Sequence, residues 1–389
     1  MKASYQGLEL RGRRVLVRED LNVPLDGGAI ADDTRVRAAL PTLGDLSRRG
    51  ARVVVMSHLG RPKGRPRSEL SLRPVAARLG ELLERPVAFA EDCVGPVAGE
   101  AVERMSDGDV LLLENVRFHA GDESDDPELG RDLALLGDVY VNDAFAASHR
   151  SHASVVGVAR HLPAYAGLLM LEELGALHRA LDEPRRPLVA VVGGAKVSTK
   201  ADALRFLVPR VDALLVGGAM ANTFFKARGD EVGASFVEDE ALDTARDVER
   251  DGGGKLVLPV DAVCARAMEP GQETALRPVG DVEPGWMILD VGPDTVGHFR
   301  DRLRGAGTVV WNGPMGVFEI PEFAAGTRAV GEAVAECGAY SLVGGGDTAA
   351  AVEALGLAGR FSHVSTGGGA TLEYMEGREL PGVAVLTDA

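Results

Sequence analysis

Cysteine is scarce in this 389-residue chain: Cys93, Cys264 and Cys337 are all there is, and they lie more than seventy residues apart. With no CxxC pair and no Cys/His pair at structural-zinc spacing, a disulfide scaffold and a zinc fold lose their usual signatures, and the thiols read as reduced and isolated. His149 and His152 are three apart, but no HExxH-type pattern accompanies them. No apolar run is long enough to span a bilayer, and no basic stretch leads into an apolar core and cleavage site near the N-terminus. A cytoplasmic protein without a membrane anchor is therefore expected. Several catalytic fingerprints are also missing. There is no GxxxxGK[ST], the one Gly-Lys pair (Gly254, Lys255) being followed by Leu256. There is no GxGxxG with an acidic residue twenty positions on, no GxSxG, and no pair of catalytic carboxylates. Positive charge is in deficit overall, and a net charge of −16 opposes nonspecific binding of nucleic acid.

That deficit is uneven. Residues 1–90 hold 17 Lys and Arg against 10 Asp and Glu, an excess of +7 that serves either as a solvated surface or as a site for a small anion. The length exceeds one ordinary core, so two domains are expected. Short β-branched runs (Arg14 to Val17, Arg52 to Met56, Val110 to Leu113, Asp138 to Val141) alternate with helix-like stretches, which is the pattern of βαβ units and a parallel sheet. Their polar tails, EDLN, SHLGR, ENVRF and NDAF, fall where ligands bind in open α/β sheets, beyond the carboxyl ends of strands. From Leu188 onward the runs stop at glycine instead: VAVVGGAK, ALLVGGAM, MILDVGP, TVVWNGP, SLVGGGDT and HVSTGGG. Such turns let backbone N–H groups approach a phosphate, and six of them suggest a second sheet with a nucleotide at its rim. Ala153 to Ala176 reads as a helix between the halves, and the acidic run GDESDDPEL as a solvated loop.

The strongest cationic candidates are Arg35, Arg61, Arg117 and Arg150, with His58 and His149 close by in sequence. Several arginine forks converging from strand ends would clamp a small dianion. In GGAKVSTK, Lys196 and Lys200 are four apart, on one helical face after a glycine turn. In GGGDT, Asp347 is either a helix N-cap or a ligand of Mg²⁺ beside nucleotide phosphates.

The segments RVLVREDLNVPL, SHLGRPKG, LLLENVRFH, VNDAFAASHRSHAS, VVGGAKVSTK, VVWNGPMGVFE, GGGDT and STGGGATLEYMEG resemble, in that order, the signature segments of phosphoglycerate kinases. The resemblance runs from Arg14 to Gly377. It implies an α/β fold of two doubly wound parallel-sheet domains facing a cleft, joined by an interdomain helix and hinge. Residues 1–168 would bind 3-phosphoglycerate, residues 169–375 the nucleotide, and the tail from about 376 to 389 would return to the first domain. The implied substrate ligands are Asp20, Asn22, Arg35, His58, Arg61, Arg117 and Arg150. For ATP or ADP they are Lys196, Lys200, Gly292, Asn312, Glu319, Gly345, Gly346, Asp347 and Thr348, with Asp347 on Mg²⁺ and Glu319 on the ribose. Arg35 and Lys196 would bear on the transferred phosphoryl oxygens, and helix N-termini at Gly345 and Gly368 would supply N–H groups. A monomer is implied, with no nucleic-acid or membrane partner. Three departures stand out: Glu19 for the family's usual Val, which adds a negative charge beside the substrate loop; Thr199 for Asp; and LEEL after Met170. The rival readings are a Rossmann-type oxidoreductase and a non-catalytic phosphometabolite-binding protein on the same fold.

Overall fold

The computed structural model describes residues 2–389, which divide into two compact units. One runs through Leu174 and also takes Glu379–Ala389; the other is Gly175–Arg378.

The first unit is built on a six-stranded sheet: β1 (Arg14–Arg18), β2 (Arg52–Met56), β3 (Val87–Ala90), β4 (Val110–Leu113), β5 (Val139–Asn142) and β6 (Ala164–Ala166). The order is β3-β4-β2-β1-β5-β6, and every pairing is parallel. Val15, Leu16, Val17, Val53, Val54 and Val55 are all buried, because helices cover both faces; hence the continuous rather than alternating apolar runs. The four polar tails follow β1, β2, β4 and β5 at their carboxyl ends. Residues of the C-terminal segment pack on this unit: the Asn142 amide donates to Gly382 O (2.9 Å) and to Ser148 Oγ (3.0 Å), and Gly382 N–H donates to Ser148 O (2.8 Å).

Two expectations are corrected here. Ala153 to Ala176 is not one helix. It contains two short turns, Ala153–Gly157 and Val158–Arg160, then β6, then the helix Leu168–Leu177. Pro163 accounts for the break, since it disfavours helical geometry at Leu162 and gives no N–H, while Tyr140 N–H takes its carbonyl to start the β5–β6 ladder. Nor is the acidic run wholly solvated. Asp122 is fully buried and accepts from Ser154 N–H at 3.0 Å, and Asp126 caps the helix Pro127–Ala134.

The second unit carries β7 (Leu188–Val192), β8 (Ala213–Val216), β9 (Leu256–Val257), β10 (Asp261–Ala265), β11 (Ala275–Pro278), β12 (Met287–Val291), β13 (Thr308–Asn312), β14 (Tyr340–Gly344) and β15 (His363–Val364). Six form a parallel sheet in the order β9-β8-β7-β13-β14-β15. The remaining three form an antiparallel sheet, β11-β10-β12, so MILDVGP, which ends β12, lies outside the parallel sheet that holds the other five glycine-ended runs. At the rim the glycines serve the chain itself: a Cβ on Gly313 (φ +100°) would lie 2.2 Å from Gly193 O, so the turns after β7 and β13 interlock only without side chains. Among the described residues no helix is long and apolar enough to cross a membrane.

Asn142→Ala removes three buried side-chain hydrogen bonds, one of them to the C-terminal segment. It should destabilise the first unit by about 2 kcal/mol, read as a lower midpoint in chemical denaturation; an unchanged midpoint would show the tail contact to be energetically idle.

Candidate active site

The tails of β1, β2 and β4 are stitched to one another before any ligand arrives. Asn22 Oδ1 accepts from Gly60 N–H at 2.8 Å, and the Asn115 amide donates to Leu59 O at 2.7 Å. On this frame the cations are held mainly by carbonyls. The Arg117 guanidinium is buried and donates to Gly60 O (2.9 Å), while its Nε lies 3.4 Å from the Glu123 carboxylate without completing a hydrogen bond. Arg35 is bound to the Asp20 carboxylate (3.0 Å) and to Asn22 O (3.1 Å). Arg150 Nε donates to His149 Nε2 at 3.1 Å, and Arg61 is exposed on its loop.

Arg18, the last residue of β1, organises the centre. It has no exposed surface and donates to Ser154 Oγ (3.0 Å), to Glu19 O and to His58 Nδ1 (3.1 Å). A guanidinium has no acceptor, so His58 must accept through Nδ1 and carry its proton on Nε2. Burial, then the charges of Arg18, Arg117, Arg150 and Arg35, hold the imidazole well below its ordinary pKa. His58 is thus a neutral ring offering one N–H, and the field of four arginines converges on it.

The acids nearby divide. Burial alone would raise Asp122, but the His152 imidazole 3.6 Å away, the charge of Arg18 and the hydrogen bond from Ser154 leave it lower than an ordinary carboxyl. Glu19 is fully buried with Oε1 unpartnered, and burial together with Asp143 pushes it well up. Desolvation thus opposes the negative charge that Glu19 would bring beside the substrate loop. Asp143 accepts from Met170 N–H (3.0 Å) and is pushed up to about 6, chiefly by burial.

In the second unit an apolar cavity of about 500 Å³ opens between the two sheets' loops, walled by Phe225, Phe236, Met287 and Val291, with Glu319 and Asp347 at its edge. Asp347 is exposed in the first turn of the helix Gly346–Ala354, whose N-terminus has no side-chain cap, so Asp347 is not the N-cap; Gly345 is. Gly368 begins the helix Gly369–Met375 at φ +51°, again uncapped. Lys196 is exposed in the loop after β7. Helical geometry begins only at Ser198, so Lys196 and Lys200 do not share a helical face. Lys200 turns inward, donating to Gly193 O (2.7 Å) and Asn312 O (3.1 Å); burial lowers its pKa to about 8, against the charge of Asp347. Thr199 Oγ1 donates to Lys196 O (3.0 Å).

The other expected nucleotide residues do not line the cavity but are tied into the chain beside it. The Asn312 amide donates to Gly344 O (3.0 Å), Thr348 Oγ1 accepts from Gly313 N–H (2.6 Å), and Gly292 sits against Asp261, whose carboxylate accepts from Asp294 and Thr295 N–H. The sequence reading missed Arg18, hidden as the end of a strand, and Asp290. Asp290 lines the cavity, accepts from Gly326 (2.6 Å) and Val291 (2.9 Å) N–H groups, and is raised to about 7 by burial. Its only signal was a carboxylate inside an apolar run.

A family model described as phosphoglycerate kinase matches residues 5–378. A phosphoglycerate kinase of Rubrobacter xylanophilus is 56% identical over 387 residues, covering 100% of this chain and 98% of that one. One of Thermomicrobium roseum is 54% identical over 388 residues, 99% of each. Among solved structures, phosphoglycerate kinase from Coxiella burnetii superposes with a TM-score of 0.92 at 44% identity (99% and 98% covered), and that from Pyrococcus horikoshii with 0.85 at 34% (also 99% and 98%).

The buried carboxyl of Asp143 has a consequence for stability. An unfolded Asp loses its proton near pH ~3.9, whereas the folded one holds it to about 6. Between those values the folded state binds more protons, so stability falls as pH rises, by roughly 3 kcal/mol in total. Asp143→Asn should lose this decline. The wild-type-minus-variant difference in unfolding free energy should drop by that amount between pH ~4 and ~7, and a difference independent of pH would contradict the ionisation.

Proposed function

The chain belongs to the phosphoglycerate kinase family, and on that premise we propose that its first unit binds 3-phosphoglycerate and its second the magnesium complex of ATP or ADP. The enzyme transfers a phosphoryl group reversibly between ATP and the carboxylate of 3-phosphoglycerate. The observation that supports the first assignment is the convergence of Arg18, Arg35, Arg117 and Arg150 on the neutral His58. Such a field suits a small phosphorylated dianion, and Arg117 and Arg150 would grip its phosphate, with Arg61, His58, Asn22 and Asp20 completing the shell. The apolar cavity suits a flat purine, with Glu319 toward the ribose.

The acceptor is a carboxylate, already ionised at neutral pH, so no general base is required. Arg35 and Lys196 would neutralise the transferring phosphoryl oxygens, while N–H groups at the uncapped helix starts after Gly345 and Gly368 face developing negative charge. Lys200, Asn312, Gly292, Gly346 and Thr348 would shape the phosphate end of the nucleotide site. The exposed Asp347 carboxylate, one acid at an otherwise phosphate-ready helix start, fits a Mg²⁺ ion that takes its other ligands from phosphate and water. When bound, the ion offsets charge on the nucleotide phosphates. Donor and acceptor are assigned to separate units, so transfer is proposed to require a closing motion in each cycle. A monomeric cytoplasmic enzyme of glycolysis and gluconeogenesis is the proposed setting.

A coupled assay of ATP consumption on adding 3-phosphoglycerate tests the activity directly, and no turnover would leave the non-catalytic alternative. Calorimetry tests the allocation of ligands. Arg150→Ala should weaken 3-phosphoglycerate binding by ~1.5–3 kcal/mol, the worth of a charge-assisted contact, and leave nucleotide affinity unchanged. Asp347→Asn should do the reverse, and only for the magnesium complex. Equal losses of both ligands in either variant would refute the division.

A further inference from the structure

Away from the groups used above, three ligand types meet at the carboxyl ends of β3 and β4. Asp92 and Cys93 follow β3, and His119 follows the short turn Val116–Phe118 after β4. The Ala90–Leu113 pairing of those strands holds the two segments side by side. One ligand atom from each of the three residues lies within 4.8 Å of the others. His119 Nε2 is 2.7 Å from Asp92 Oδ1, and the Cys93 side chain, 1% exposed, has no hydrogen bond from its sulfur among the described residues. From these we infer a divalent-metal site of Asp92, Cys93 and His119, with Zn²⁺ as its natural occupant.

Coordination chemistry selects the ion. Thiolate, imidazole and carboxylate together suit a borderline metal, whereas Mg²⁺ and Ca²⁺ take oxygen. Zinc binds sulfur at about 2.3 Å and nitrogen or oxygen at about 2.0–2.1 Å, so a tetrahedral site needs ligand atoms roughly 3.3–3.8 Å apart. The Asp92–His119 pair must part by well under an ångström, and the sulfur must draw in by up to about 1.3 Å. These are rotamer-scale adjustments. Access is open on one side, since the side chains of His119 and Asp92 are 35% and 43% exposed while the sulfur forms the floor. The surroundings favour a cation, since the carboxylates of Asp92, Asp122 and Glu114 all bear on Cys93 and their charge attracts a dication. Binding releases the thiol proton to solvent, and the imidazole carries its remaining proton on Nδ1 so that Nε2 can coordinate. Three protein ligands leave a fourth position for water. The spacing rules that describe zinc motifs do not reveal the site, because His119 is 26 residues from Cys93 and is brought to it by the sheet.

Cobalt(II) titration of the reduced, metal-free full chain is the test. One equivalent should produce a thiolate-to-cobalt charge-transfer band in the near ultraviolet with intense tetrahedral d–d bands, bleached by Zn²⁺. Cys93→Ser should abolish the charge-transfer band, and His119→Asn, at a partly exposed position, should weaken cobalt affinity at least ~10-fold, with circular dichroism confirming that each variant is folded. Asp347→Asn should leave the spectrum unchanged. Absence of the charge-transfer band, its persistence in Cys93→Ser, or unaltered affinity in a folded His119→Asn would each overturn the assignment.

Discussion

A charge that cannot be given up lies without exposed surface at the end of an interior strand: the guanidinium of Arg18. Everything titratable around it has settled accordingly. His58 accepts its hydrogen bond and stays neutral. Of three neighbouring buried acids, Asp122 is shifted below an ordinary carboxyl by its partners, Glu19 is pushed well up by burial, and Asp143 is raised to about 6. Two full carboxylates close together in a low dielectric would cost more than the single arginine returns, so the environments drive the acids apart. The positive field of Arg35, Arg117 and Arg150 is consequently under-compensated where the strand tails end, and that surplus is what an anionic substrate can complete.

The second unit uses a different economy of charge. Its permanent features are backbone ones: uncapped helix starts after Gly345 and Gly368, and glycine turns packed without side chains. Its buried cation, Lys200, is bound by two carbonyls and has been brought to about 8. The exposed Lys196, Glu319 and Asp347 are left to meet a ligand. Fixed, buried side-chain charge thus characterises one unit, and backbone dipoles with exposed charges the other.

Much of this was legible in the sequence. Apolar runs closed by polar or glycine-rich tails mark strands covered on both faces, and the residues in those tails are the ones found at the strand ends. What escaped depended on partners distant in the chain. Asp122 looked solvated because the amide and histidine that bury it lie some thirty residues on. Arg18 looked like the polar end of a strand, since two of its three acceptors, Ser154 and His58, come from distant segments. The antiparallel sheet of β10, β11 and β12 was missed because its strands are short and partly buried, and one of them ends at a glycine like the parallel ones. A sequence does not display the desolvation that opposes the charge of Glu19.

The central claim is that burial and the arginine field together keep His58 neutral at the first site, and imidazole nitrogen NMR of His58 tests it most directly. On this account His58 remains neutral, with its proton on Nε2, on the acid side of the ordinary histidine midpoint of about 6.5, and 3-phosphoglycerate raises its pKa by offsetting the field. A histidine that titrates near 6.5, or whose proton sits on Nδ1, would contradict it.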